Sequence, residues 1–398
     1  MKFETIAIRT QTQRTQHREH STPIFPTSSF VFENAEQMRS LFAGEQEGNI
    51  YSRFTNPNCR EFEEKIAALE GVANAHSTAT GMAAVFASLL TFLQSGDHVL
   101  ASKAIFGSSY SIISKYLPNW GISFDWLDPG TPEKWPEKLK PNTKMLFIET
   151  PSNPGLDIVD LRAAGDFAKA NKLLLNVDNC FATPYLQQPA KFGADIITHS
   201  ATKFVDGQGR VMGGVVAGSN AIVEQVRNFC RSTGPSLSPF NAWVLSKSLE
   251  TLAVRMDRHC ENALALANFL SNHKQVGKVK YPFLESHPAA HIAKQQMKKG
   301  GGLVTFEVKG GLEQGRRFLD AIGLLSLSAN LGDTRTIVTH PASTTHAKLT
   351  EEARKEAGIT NGLIRVSVGL EHIEDILKDI DLALNESLRK PEFERMRV

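Results

Sequence analysis

Short apolar runs that each stop on a polar residue restrict this chain to few folds. Met145-Leu146-Phe147-Ile148-Glu149, Leu173-Leu174-Leu175-Asn176-Val177-Asp178 and Asp195-Ile196-Ile197-Thr198 are almost continuously hydrophobic, the pattern of strands buried on both faces. After the first run, Pro151 and Asn153-Pro154 impose a turn, and Val159 to Ala170 has the spacing of a crossover helix. Asn153, Asp178 and Lys203 are each 25 positions apart, a plausible length for one strand–helix–strand step. Polar residues at the ends of such strands predict a mostly parallel α/β sheet, to which Val99 to Ser102 adds a further strand.

The stretch His199-Ser200-Ala201-Thr202-Lys203-Phe204-Val205-Asp206-Gly207 puts a lysine, flanked by hydroxyls, at the mouth of the third run. An aspartate, Asp178, closes the run before it. A lysine and an aspartate at neighbouring strand ends suit pyridoxal phosphate. The lysine carries the aldehyde as a Schiff base, and the aspartate keeps the pyridine nitrogen protonated so that the ring withdraws electrons. Taken singly, a solvated lysine and a helix-capping aspartate account for the same two residues. Ser77-Thr78-Ala79-Thr80-Gly81-Met82 precedes the apolar helix Ala83 to Leu93. Small residues there leave backbone N–H groups free at the positive end of the helix dipole, a seat for phosphate, although they also serve as an ordinary cap. In such a seat Gly81 and Met82 donate through the backbone, and Ser200 and Thr202 supply hydroxyls.

Tyr51-Ser52-Arg53, Ser77 to Met82, Glu149-Thr150-Pro151-Ser152-Asn153-Pro154, Val177-Asp178-Asn179, the Lys203 stretch and Arg365-Val366-Ser367 together resemble the Cys/Met-metabolism family of PLP enzymes, the relatives of cystathionine γ-synthase. The match runs in the family's order from about residue 20 to the C-terminus. The resemblance implies an α/β PLP-dependent transferase fold of the aspartate aminotransferase type. It implies an N-terminal arm (1–60) on a neighbouring subunit, a large PLP-binding domain with a mostly parallel sheet (61–250) and a small C-terminal α+β domain (251–398).

The same resemblance makes Lys203 the cofactor lysine and mobile base, and Asp178 the partner of the ring nitrogen. Asn153 reaches the ring's phenolic oxygen and Phe106 stacks on the ring. Arg365 clamps the substrate α-carboxylate, a structural salt bridge being the alternative, with Asn330 beside it where relatives carry serine. Tyr51 and Arg53 reach the neighbouring subunit's cofactor phosphate, since a guanidinium fork and a phenol both suit phosphate; two residues of an ordinary turn are the alternative. The implied assembly is a dimer that shares its active sites, paired into a homotetramer.

With 398 residues the chain is long enough for two well-buried domains. A net charge of +2, with no Lys/Arg cluster interleaved with aromatics, argues against nucleic-acid binding. No signal pattern or membrane-length apolar run opens the chain. Cys59, Cys180, Cys230 and Cys260 form no C-x-x-C, so neither zinc nor a disulfide framework is expected and a cytoplasmic location is. Residues 1 to 60 are polar, an arm or a disordered tail. Cys59 to Gly71 has helical spacing, and Phe240 to Leu270 reads as one long linking helix. Gly207-Gln208-Gly209 fails the spacing of a dinucleotide loop. The last third predicts one-sided strands Leu303–Val308, Ile337–Val338 and Leu363–Val368, with helices at Leu312–Ile322, Thr350–Ala357 and Glu371–Leu388. His340 and His346 read as structural.

Where many family members carry tyrosine before Gly107, this chain has Phe106, which has no hydroxyl to move a proton. Tyr110 lies four positions off, which favours a packing role. A carboxylate leaving group has a parent pKa near ~4 and a thiolate ~8.5, so a site without that hydroxyl favours acylated homoserine over methionine or cystathionine. The runs Ala201–Gly209 and Ser328–Asp333 resemble members that sulfhydrylate O-succinylhomoserine. Cystathionine synthases more often carry Gly-His at Gly207-Gln208, and methionine γ-lyases usually carry cysteine at Ser108. The expected reaction is γ-replacement of the succinyl group by sulfide, giving L-homocysteine and succinate. Use of acetylhomoserine, cystathionine synthesis, methionine γ-elimination and a catalytically silent scaffold are the alternatives.

Overall fold

The computed structural model describes residues 1–388 apart from 346, 349, 352–353 and 355–357. Its larger sheet has seven strands: β1 (Asn74–Thr78), β2 (His98–Ser102), β3 (Ser123–Leu127), β4 (Thr143–Glu149), β5 (Leu174–Asp178), β6 (Ile196–Ser200) and β7 (Gly214–Gly218). They lie in the order β1-β7-β6-β5-β4-β2-β3. From β6 to β3 all neighbours are parallel, and only β7 runs against its neighbours. The expected mostly parallel α/β sheet is therefore present.

Two-sided burial explains the apolar runs. Ile197, Val215 and Ala217 join a core with Phe62, Ile66 and Leu69 of the helix Pro57–Glu70 and Leu245 and Leu249 of the helix Pro239–Leu249. Their neighbours Ile196 and Val216 face the other way, onto Ala84 and Val85 of the helix Gly81–Leu90 and Val226 of the helix Asn220–Thr233. Alternate residues thus serve opposite layers, each fully buried aliphatic side chain contributing about 1.5–3 kcal/mol. Local signals set the ends of Pro57–Glu70: Asn56 accepts from the Asn58 amide, Pro57 opens the first turn, and Gly71 closes it at φ 74°.

The smaller sheet contains β8 (Val276–Lys280), β9 (Leu303–Val308), β10 (Ser326–Leu327), β11 (Ile337–Thr339) and β12 (Leu363–Ser367), in the order β10-β11-β12-β9-β8. Helices Leu252–Ser271, Gly311–Ala321 and Ile373–Glu386 cover Val304, Phe306, Ile364 and Val366. Two expectations need correction. The strands β9 and β12 are buried along both faces, not one. Leu303 joins the large-sheet core, and Ser367 accepts from the Gly332 amide at 2.8 Å, so the second face is covered as well. The stretch Phe240 to Leu270 is two helices that meet at Glu250 and Thr251. The expected helix Thr350–Ala357 and the histidine His346 fall wholly or partly outside the described residues. Among the described residues, no helix is long and apolar enough to cross a membrane.

Candidate active site

The strand β6 ends at Ser200, and a tight turn returns Lys203 to the strand's mouth, the Lys203 amide donating to Ser200 O at 3.3 Å. Lys203 Nζ donates to Asn330 Oδ1 at 2.7 Å. That partner is neutral, and among the described residues no carboxylate forms an ion pair with Nζ. Burial lowers the amine's pKa, and the nearby Arg365 guanidinium acts in the same direction. A partly desolvated amine of this kind gives up its proton more readily than an exposed lysine does, which suits a nucleophile or base.

A second cation holds the turn from beneath. Arg255, on the helix Leu252–Ser271, is buried and donates to Phe204 O at 2.7 Å, Val205 O at 3.3 Å and Ser248 O at 2.9 Å. Gly207 lies against this guanidinium at φ 73°, where a Cβ would overlap Nη1. The sequence reading missed Arg255. Its one signal was a charge among the apolar positions of a helix.

Two carboxylates close the neighbouring strands. Glu149 of β4 pairs in register with Asp178 of β5, and both are buried. Asp178 Oδ1 accepts from the Cys180 amide at 3.0 Å, and among the described residues no cation pairs with Asp178. Burial lifts the Asp178 pKa to about 6, against the opposing Cys180 amide and His199. Glu149 accepts from the Phe106 amide at 2.6 Å through Oε2 and from the Asn153 amide at 3.0 Å through Oε1. Burial and the adjacent Asp178 push its pKa well up. Glu149 also escaped the sequence reading as more than a strand end.

Gly81 opens its helix against the end of β6, where a Cβ would sit 2.7 Å from both Ser200 Cα and Ser200 Oγ. Only glycine lets helix and strand approach so closely. Thr80 caps the helix by accepting from the Ala83 amide at 3.1 Å, and among the described residues the Gly81 and Met82 amides find no protein acceptor. Ser200 brings its hydroxyl to the same place. The Thr202 hydroxyl is engaged with the backbone of Gly213, at 3.3 Å to O and 3.2 Å to N.

Arg365, in the middle of β12, is 7% exposed. It donates to Asn153 Oδ1 at 3.0 Å, Asn330 O at 3.1 Å, Ala329 O at 3.3 Å and Thr339 Oγ1 at 3.4 Å. None of these is a carboxylate, and among the described residues Nε has no partner. Burial lowers its pKa to about 10. A buried guanidinium ringed by neutral acceptors is ready for an anion from outside.

Lys203, Asn330, Arg365 and Asn153 are thus joined by hydrogen bonds, and Glu149 links Asn153 to Phe106. Phe106 is 40% exposed and begins a short helix, Gly107–Ser111. Tyr110 stacks on Trp126 with centroids 4.2 Å apart and planes 7° from parallel. Tyr51 and Arg53 do not join this cluster. Arg53 donates to the Arg231 carbonyl and lies over the Phe54 ring, while Tyr51 is 41% exposed. His340 is held between Ser343 Oγ at 2.7 Å and Asn361 O at 2.9 Å.

A neutralisable amine, a buried carboxylate without a cation and a helix start with open amides fit the aldehyde, the protonated ring nitrogen and the phosphate of one cofactor. They define a pyridoxal-phosphate enzyme of the α/β class. Residues 4–385 match the model of the Cys/Met metabolism PLP-dependent enzyme family, and the chain belongs to that family. It is 49% identical over 378 residues to an O-succinylhomoserine sulfhydrylase of Pseudomonas aeruginosa, spanning 95% of this chain and 94% of that one. An L-methionine gamma-lyase of Fusobacterium nucleatum subsp. polymorphum is 42% identical over 383 residues, covering 96% and 97%. The fold superposes with TM-score 0.93 on the crystal structure of a putative O-acetylhomoserine (thiol)-lyase from Campylobacter jejuni, which contains N'-pyridoxyl-lysine-5'-monophosphate. That protein is 35% identical, with 97% of this chain and 100% of that one covered.

Proposed function

We propose that this protein replaces the γ-succinyl group of O-succinyl-L-homoserine with sulfide, releasing L-homocysteine and succinate. Phe106 carries the reading. It stands where family members often present a tyrosine hydroxyl, and Tyr110, stacked on Trp126, does not replace it. A carboxylate leaves unaided because its conjugate acid has a pKa near ~4, whereas a thiolate benefits from a proton donor. The 49% identity to a sulfhydrylase of the succinyl ester supports the same choice.

In this reading each side chain has a distinct role. Arg365 holds the substrate α-carboxylate with Asn330 beside it, and Asn153, whose Oδ1 accepts from Arg365, reaches the ring's phenolic oxygen. Lys203 Nζ takes the proton from the substrate Cα and returns one later. Asn330 keeps that amine aimed between the two events. Asp178 supplies the anion for the ring nitrogen, while Gly81, Met82 and Ser200 seat the phosphate, joined by Thr202 once its hydroxyl turns away from Gly213 O. When bound, pyridoxal phosphate supplies an electron-withdrawing ring that accepts charge from the substrate carbon. Tyr51 and Arg53, on the arm 1–60, reach a neighbouring subunit's phosphate in a homotetramer of site-sharing dimers. We place the enzyme in the cytoplasm, where its four buried free thiols stay reduced.

The test is a steady-state comparison of succinyl- and acetylhomoserine, each with sulfide and with cysteine, beside methionine alone. The succinyl ester with sulfide should give the highest kcat/KM, and Phe106→Tyr should raise methionine elimination. Turnover of methionine without turnover of the succinyl ester would make the protein a γ-lyase, the reading favoured by its 42% identical relative.

A further inference from the structure

Glu149 is 4% exposed and has no cation beside it among the described residues. Its register partner on β5 is a second buried carboxylate, Asp178. Placing two acids side by side out of water is unfavourable, so the fold must gain something from a carboxylate at this position.

The hydrogen bonds show what it gains. Oε2 takes the Phe106 amide at 2.6 Å and Oε1 takes the Asn153 amide at 3.0 Å. These amides belong to two separate loops, one after β2 and one after β4. Only a carboxylate offers an acceptor at both of its outer atoms, since glutamine would turn an NH2 towards one of the two N–H groups. From Asn153 the chain of contacts continues, because Asn153 Oδ1 accepts from Arg365 Nη1 at 3.0 Å.

We propose that Glu149 is the positioning residue of the active site. One carboxylate fixes the loop that presents the Phe106 ring and the loop that presents Asn153, and through Asn153 it sets the guanidinium of Arg365. The inference rests on the reading that Phe106 and Asn153 face the cofactor and the substrate. It adds that their geometry has a single common anchor buried beneath them, so the two loops move together or not at all.

Glu149→Gln and Glu149→Asp in the holoenzyme test this. Deuterium exchange should rise in both the peptide containing Phe106 and the peptide containing Asn153, with the helix Leu161–Ala170 as an unaffected reference. The KM for the acylated amino acid should rise about tenfold and kcat should fall about 10- to 100-fold, the size expected for an ångström-scale misplacement. Glu149→Asp keeps both oxygens but draws them back by one methylene, so it should show the same pattern more weakly. It also carries the test if the glutamine variant does not fold. Exchange confined to one loop, or wild-type exchange and kinetics in both variants, would overturn the proposal. Borohydride reduction of the wild type separates the two levels: loss of label at Lys203 would remove the cofactor reading, whereas the exchange result alone decides the role of Glu149.

Discussion

Lys203 and Asn330 meet through a 2.7 Å hydrogen bond from Nζ to Oδ1, which joins the turn after β6 to the loop between β10 and β11. The Asn330 carbonyl oxygen accepts from Arg365 at 3.1 Å. One residue therefore touches both the amine that handles protons and the guanidinium that holds substrate.

Removing that link should be felt at the amine first. The Asn330 oxygen supports the charged form of Lys203, so Asn330→Ala should depress the amine pKa further and move the acid limb of the pH–rate profile to lower pH. Loss of an aimed base should lower kcat by about tenfold. A profile that does not move would mean that the contact serves packing alone.

Arg365→Lys keeps the charge but loses the planar fork. The KM for the amino-acid substrate should rise by about 30-fold or more, corresponding to roughly 2 kcal/mol for a buried charge pair. Lys203 should still take up cofactor normally, as followed by its visible absorbance.

Asp178 gives the protein a pH signature without cofactor. Its pKa, raised to about 6 by burial, exceeds that of the unfolded chain. The folded apoprotein therefore holds an extra proton between about pH 4 and 6, and its stability falls as pH rises through that window. A protonated ring nitrogen offsets the buried anion, so the rise in melting temperature on adding pyridoxal phosphate should be larger at pH 8 than at pH 5. Asp178→Asn should make the apoprotein's fall in melting temperature across the window shallower without abolishing it, because burial also raises the pKa of Glu149.

Gly81→Ala places a methyl group 2.7 Å from Ser200 Cα, which is backbone and cannot swing away. Such overpacking costs about 1–3 kcal/mol. The melting temperature should drop, and affinity for the cofactor, measured by fluorescence titration, should weaken as the helix start retreats from β6.

Much of this was legible in the chain itself, for reasons particular residues make clear. Runs such as Leu173–Asp178 and Met145–Glu149 announce themselves because both faces of those strands are buried, which removes the polar half of the alternation. The strand β1 was not foreseen because Asn74, His76, Ser77 and Thr78 look like loop residues; Glu63 accepts from Ser77 N at 2.7 Å and lies 3.3 Å from His76 Nδ1, which makes their burial tolerable. The strand β7 was hidden behind its opening glycines, Gly213 and Gly214, where a Cβ at Gly214 would press on Thr78 Oγ1 at 2.6 Å. Lys203, Asp178 and Arg365 stood out as polar residues at the ends or middles of apolar strands, and Asn153 through the family resemblance. The roles of Glu149 and Arg255 did not, because the Phe106 amide and the Phe204 carbonyl that they bind lie on loops far away in sequence.

The most direct measurement is reduction of the pigmented holoenzyme with borohydride, followed by peptide mapping. The label should be found on Lys203 alone, and Lys203→Ala should leave a folded protein that takes none. A label on any other lysine, or a colourless protein that gains no absorbance with added pyridoxal phosphate, would contradict the assignment of Lys203 as the residue that carries the cofactor.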